Sequence, residues 1–180
     1  MYFRVFETAF GFSAIIYKET KDAEIAKEIL LPRDIRAIRS KVRALSPEAK
    51  ETVTGAELLV SLITRFFDGE GIEIPWSLVD RSVCSDFQLR VLDAECTVPR
   101  GKAISYSELA RRANTKSARA AGSALARNPF PIVVPCHRAI RSDRSLGGYQ
   151  GGRAMKKRIL IMEGVCFDEN GRVLPDSFIR

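Results

Sequence analysis

Histidine is almost absent from this chain: His137 is the single one among 180 residues. A metal site with three or four cysteine and histidine ligands would have to use Cys84, Cys96, Cys136 and Cys166, which lie far apart and include no Cys-x-x-Cys pair. That spacing argues against structural zinc. No uninterrupted apolar run approaches the ~20 residues that span a bilayer, and the charged start, with Arg4 and Glu7, does not read as a secretory signal. The expected address is intracellular, cytoplasmic or, in a eukaryote, nuclear, where free thiols are the ordinary state. Internal repeats and low-complexity tracts are missing too. What is present, 46% hydrophobic and 28% charged residues, is an ordinary globular composition with apolar residues enough for a core. Two small domains are expected.

Acidic residues are scarce in one stretch only. Residues 101–160 carry 13 lysines and arginines against Glu108 and Asp143, a local charge of +11 in a chain whose total is +7. So localised a patch attracts a polyanion, of which nucleic acid is the commonest. A solvated basic face is the alternative.

Tyr2 to Thr8 and Phe12 to Tyr17, rich in aromatic and β-branched residues around Gly11, read as a hairpin. Ile29 to Leu31, ending at Pro32, adds an edge strand. Asp34 to Leu45 and Pro47 to Phe67 read as helices, the second from Ala56, Leu59, Val60 and Ile63 at helical spacing with Asp68-Gly69 as its stop. Together these predict a small α/β domain over residues 1–80. Ile74 to Ser85 reads as a connector in which Trp76 serves packing. A second domain over residues 85–175 opens with a helix that Ser85 caps and that stops before Pro99-Arg100-Gly101.

Ser105 can cap a helix from Tyr106 to Ala113, and Asn114-Thr115 offers a turn before a second helix from Lys116 to Arg127. This is helix-turn-helix spacing. The second helix is slim, with Ala118, Ala120, Ala121, Gly122, Ser123, Ala124 and Ala126. Slimness suits either tight packing on a neighbouring helix or close approach to a DNA groove. Arg119, which projects from the small residues, and Lys116 and Arg127 at the two ends favour DNA.

Asn128-Pro129-Phe130-Pro131 ends that helix, and Ile132-Val133-Val134 reads as a buried strand delivering Pro135-Cys136-His137-Arg138. A working cysteine needs a lowered pKa or a nearby base, and imidazole is the natural partner. Adjacent strand residues point to opposite faces, so a water or a bend would have to complete the link. The pair alone is also compatible with a buried cysteine and chance adjacency. Beyond it, Gly147-Gly148-Tyr149-Gln150-Gly151-Gly152 allows a tightly turned loop with an aromatic face for a base. A helix from Arg153 to Met162 then ends in Glu163-Gly164.

In order and spacing, these residues resemble the O6-alkylguanine-DNA alkyltransferases, the methylated-DNA-protein-cysteine methyltransferase family. The resemblance runs through Gly101-x-x-x-Ser105-Tyr106-x-x-Leu109-Ala110, Ala118-Arg119-Ala120, Asn128-Pro129-x-Pro131, Pro135-Cys136-His137-Arg138, Gly147-x-Tyr149-x-Gly151-Gly152 and Glu163-Gly164, over roughly residues 85 to 165. It implies an α+β fold: an RNase H-like support domain, without the zinc some relatives carry, followed by a mostly helical, winged-helix-like DNA-binding domain. It also implies direct, single-turnover transfer of an alkyl group from O6-alkylguanine in duplex DNA, and less well from O4-alkylthymine, to Cys136. Glu163 would act on His137, and His137 through a water on Cys136, with Asn128 bracing the turn. Tyr106, Val134, Pro135, Gly147, Tyr149, Gln150 and Gly151 would form the base pocket. Tyr106, Lys116, Ser117, Ala118, Arg119, Ser123 and Arg127 would hold the minor groove, Arg119 entering the stack as the nucleotide swings out.

No cofactor, metal, membrane or obligate protein partner is implied, and a monomer is expected. Gln150 departs from the small residue usual after the pocket tyrosine, and Gly148 from the asparagine usual before it. Both bear on the range of alkyl groups. A binding relative that lacks the cysteine, and a Cys-His hydrolase that would need an oxyanion hole, are the rival readings; the retained Cys136, His137 and Glu163 oppose the first.

Overall fold

The hairpin around Gly11 forms in the computed structural model, which describes residues 1–21 and 23–179. Strands β1 (Tyr2–Thr8), β2 (Gly11–Glu19) and β3 (Glu24–Arg33) are antiparallel neighbours, and β4 (Lys50–Thr52) runs parallel to β1, giving the order β3-β2-β1-β4. The expected edge strand at Ile29 is the end of the ten-residue β3. Gly11 has φ +113°, and a Cβ there would lie 3.1 Å from the Arg33 carbonyl oxygen, so the tight return needs glycine.

Helix α1 (Ile35–Leu45) starts where the Asp34 side chain accepts from the amides of Arg36 and Ala37. It lays Ile38 and Val42 on Phe3, Ala14, Ile16 and Leu30 of the sheet. The helix expected from Pro47 begins only at Glu57 (α2, Glu57–Phe67), because residues 50–52 pair with β1 and Gly55 and Ala56 both take positive φ, 96° and 50°. Glu24 holds that turn by accepting from the Ala56 amide at 2.7 Å.

The chain divides into two units, Met1–Val83 with Pro129–Val133, and Cys84–Asn128 with Val134–Arg180. The short excursion at 129–133 belongs to the first: Ile29 donates to the Pro129 carbonyl at 2.8 Å, and Phe130 meets Trp76 edge to face at 6.2 Å. Trp76, expected to pack, also carries the Arg81 guanidinium 4.6 Å above its ring.

In the second unit three serines cap three helices by accepting backbone amides: Ser85 for α3 (Asp86–Cys96), Ser105 for α4 (Tyr106–Arg112) and Ser117 for α5 (Ala118–Ala126). Asn114, at φ +55°, turns the chain between α4 and α5. A small parallel sheet joins β5 (Ala103–Ser105) to β6 (Ala139–Ile140) and β7 (Phe178–Ile179). Helix α6 (Gly152–Met162) closes its core with Leu160 on Ala103, Ile140, Val165 and Val173. The whole is a mixed α and β architecture, and no helix among the described residues is long and apolar enough to cross a membrane.

The strand expected at Ile132-Val133-Val134 is not there. The segment is a turn, with Ile132 at φ +77°, a costly conformation for a β-branched residue. Prolines at 131 and 135 remove the amides a ladder would need.

Candidate active site

Cys136 lies on two successive tight turns instead of a strand end. Its amide donates to the Val134 carbonyl and that of Arg138 to the Pro135 carbonyl, both at 2.8 Å. The opposite-face argument for Cys136 and His137 therefore does not apply. Asn128 steadies the turn with its side chain, whose Nδ2 donates to the Val134 carbonyl at 3.4 Å and which also hydrogen-bonds the Cys136 sulfur.

Burial dominates the electrostatics. Cys136 is 5% exposed and its thiol is pushed up to about 11, by burial first, against the lowering hydrogen bond from Asn128. The resting sulfur is a thiol, so of the two routes expected for a working cysteine, a lowered pKa or a nearby base, only the base is left. The base is in better order. His137, fully buried, is lowered from 6.5 by burial, so it is a neutral imidazole at neutral pH. Its Nε2 lies 3.1 Å from Glu163, which makes Nε2 the donor and Nδ1 the acceptor of the ring. Glu163 is pushed up by burial, yet His137 and Arg138 together hold it down at about 2. Since His137 is neutral, the charge that keeps Glu163 ionised is Arg138, whose guanidinium grips it at 2.9 and 2.7 Å while also donating to the Val98 carbonyl at 2.6 Å. Sequence reasoning gave Arg138 a place in the motif and no role.

A cavity of about 440 Å³ opens beside the cysteine. Cys136, Tyr106, Gly147, Tyr149 and Gln150 line it, as do Gly148 and, from α5, Ala118, Arg119, Gly122 and Ala126, with Leu125 and Arg141 as members the sequence did not single out. Val134, Pro135 and Gly151 are outside its lining. A Cβ at Gly147 would stand 2.5 Å from the Tyr106 hydroxyl, so any larger residue here would displace the Tyr106 ring. The Tyr149 ring stands edge to face with His137 at 6.4 Å, and Tyr106 is raised to about 12 by burial, then by Glu95 and Cys136, so its phenol keeps its proton.

Helix α5 reconciles the two readings of its small residues. Ala121, Ala124 and Leu125 form its packed face, and Arg119, Ser123 and Arg127 stand exposed on the other, continued by exposed Lys116 and Ser117. Spacings of three and four put them on one side of the helix.

Two buried charges had no sequence signal. Lys156, one of four basic residues on α6, is fully buried and donates to the carbonyls of Ala139 at 2.5 Å and Gly148 at 3.2 Å and to the Tyr106 hydroxyl at 3.5 Å. Burial lowers it to about 8. Glu95, also fully buried, is raised by burial from 4.5 to about 8, against Lys156, Arg138, the Ala139 amide and Arg112. Neither Glu95 oxygen has a hydrogen bond of full geometry among the described residues. An acid whose folded pKa lies above its unfolded one adds stability that is complete below pH 4.5 and lost as pH rises through about 8. Glu95→Gln should therefore gain on the parent by roughly a few kcal/mol between pH 5 and pH 8. Urea unfolding of both proteins at the two pH values measures this, and a constant gap would contradict it.

The chain has known relatives in both sequence and structure. Residues 86–165 match the family described as 6-O-methylguanine DNA methyltransferase, DNA binding domain. The methylated-DNA–protein-cysteine methyltransferase of Methanothermobacter thermautotrophicus is 50% identical over 110 residues, 61% of this chain and 62% of that protein. The Archaeoglobus fulgidus protein of the same name is 38% identical over 109 residues, 57% of this chain and 71% of that one. The alignment thus spans under two thirds of the first relative's length. Among solved structures, the Mycobacterium tuberculosis protein in complex with DNA superposes with a TM-score of 0.72 at 28% identity, covering 91% of this chain and 93% of that one. An O6-methylguanine-DNA methyltransferase from Pyrococcus kodakaraensis gives 0.71 at 25%, covering 91% and 99%.

Proposed function

As this chain belongs to the methylated-DNA–protein-cysteine methyltransferase family, we propose that it repairs duplex DNA by moving the alkyl group of O6-alkylguanine, and less readily of O4-alkylthymine, onto Cys136. The observation that carries this is the shared cavity: the cysteine, two tyrosines and the arginine of a basic helix all line it, and a network of His137, Glu163 and Arg138 starts at the residue after the cysteine.

The chemistry follows from the groups. A thiol at about 11 is a poor nucleophile until its proton leaves, so His137 accepts it through a bridging water while Glu163 stabilises the imidazolium that forms. The sulfur attacks the O6-alkyl carbon in line, the S–C bond forms and the C–O bond breaks. Tyr106 gives its proton to the guanine ring as it leaves, and the proton taken from the thiol replaces it. Thiol and ether become thioether and guanine, with nothing else consumed. Thioethers do not hydrolyse under such conditions, so each molecule acts once.

The reacting carbon is shielded in a stacked duplex, so the nucleotide must be extruded. Residues 85–175, apart from the 129–133 excursion, are the DNA-binding, winged-helix-like domain, and residues 1–80 belong to an RNase H-like support. Lys116, Ser117, Ser123 and Arg127 contact the backbone, with Ala118 close to the minor groove, and Arg119 fills the vacated stack. A monomer acting on intracellular duplex DNA needs no partner beyond the damaged strand.

Two measurements test this. Titration with O6-methylguanine duplex should consume one lesion per protein and stop; continued turnover would overturn single-use transfer. Arg119→Ala should slow repair of duplex by roughly tenfold to a hundredfold, as a flipping cost of a few kcal/mol loses its compensation, and slow reaction with free O6-methylguanine far less. Equal loss on both substrates would remove Arg119 from extrusion.

A further inference from the structure

The carbonyl end of α5 is closed by two glutamine side chains. The last carbonyls of a helix have no donors within it and must find them elsewhere. Amides of Arg127 and Asn128 reach Ala124 and Leu125 at 3.2 and 3.1 Å. Gln88 of α3 donates its Nε2 to Ala124 at 3.3 Å and Arg127 at 2.9 Å. Gln150 donates its Nε2 to Ala126 at 3.1 Å and Asn128 at 2.8 Å. An NH₂ group has two hydrogens, so both are engaged in each case.

Gln150 differs from Gln88 in where it starts. It follows Tyr149 on the loop that lines the cavity, and it lines the cavity itself. Its tie crosses from that loop to Ala126, another lining residue, and to Asn128, whose side chain steadies Cys136. The loop and the helix end are the walls between which the O6 substituent must fit, and a two-point hydrogen bond fixes their separation.

We propose that Gln150 is a specificity-determining residue that ties the cavity loop to the carbonyl end of α5 and so restricts transfer to small O6 substituents. The inference rests on reading the cavity as the O6-alkylguanine site. Free bases test it without involving DNA contacts: single-turnover rates with O6-methylguanine and O6-benzylguanine for the parent, Gln150→Glu and Gln150→Ala. Glutamate keeps the length and volume but has no hydrogen to donate to a carbonyl, and alanine removes both. The benzyl-to-methyl rate ratio should rise about tenfold in both variants, the scale of a modest change in pocket room. Because the ratio is internal to each protein, general destabilisation cancels. A ratio that rises only in Gln150→Ala assigns selectivity to bulk and overturns the tie, as does an unchanged ratio in both. A parent that takes no methyl from O6-methylguanine overturns the reading of the cavity and the inference with it.

Discussion

Cys136→Ala should bind methylated duplex as tightly as the parent and transfer nothing from it. The side chain is small and buried, and the change leaves the exposed Lys116, Arg119 and Arg127 in place, so affinity that rests on them, as proposed, has no reason to change. Transfer has no second route. Cys84 and Cys166 do not line the cavity, nor does Cys96. Gel-shift affinity and lesion consumption, measured on the same preparation, check both halves. Residual transfer at even a hundredth of the parent rate would mean that another nucleophile reaches the lesion.

Glu163→Gln should have the next largest effect, on rate and on stability together. The carboxylate raises the pKa of His137 by its charge, so its loss leaves a weaker base. Transfer at neutral pH should fall about a hundredfold, the low end of what general-base catalysis contributes. The acidic limb of the rate profile, which reports protonation of His137, should move to lower pH. An unmoved limb would uncouple Glu163 from the histidine.

The stability effect comes from the other partner. Glu163 is a buried anion gripped by Arg138, and breaking such a pair strands a guanidinium at a cost of about 3–5 kcal/mol. A carboxylate held at about 2 adds stability that is present above pH 4.5 and lost as pH falls through about 2. The parent should therefore lose its advantage over Glu163→Gln in strong acid, and denaturant midpoints at pH 7 and pH 3 read that convergence.

What the sequence made legible follows from which signals are local. Ser85, Ser105 and Ser117 announce their helices because a cap is a one-residue device acting within three positions. The pairing of His137 with Glu163 was legible only through the family resemblance, and the two side chains stand 3.1 Å apart. Ile132-Val133-Val134 misled because β-branched residues favour strands wherever the chain is free to extend, and flanking prolines forced a turn instead. Pro47 to Thr54 misled for a related reason: pairing of residues 50–52 with β1 is a long-range contact that no local period records. Glu95 and Lys156 were illegible because a charged residue in a helical pattern reads as solvent-facing, and only tertiary packing buries it. The raised thiol belongs to the same class, since burial at Cys136 comes from elements far apart in the chain.

Mass spectrometry of the whole protein and its peptides, after incubation with duplex carrying O6-methylguanine, tests the account most directly. It predicts a stable gain of one CH₂ per chain, confined to the peptide that contains Cys136 and matched by loss of one lesion. Lesions that disappear while the protein mass stays unchanged, or a methyl found on Cys84, Cys96 or Cys166, would contradict it.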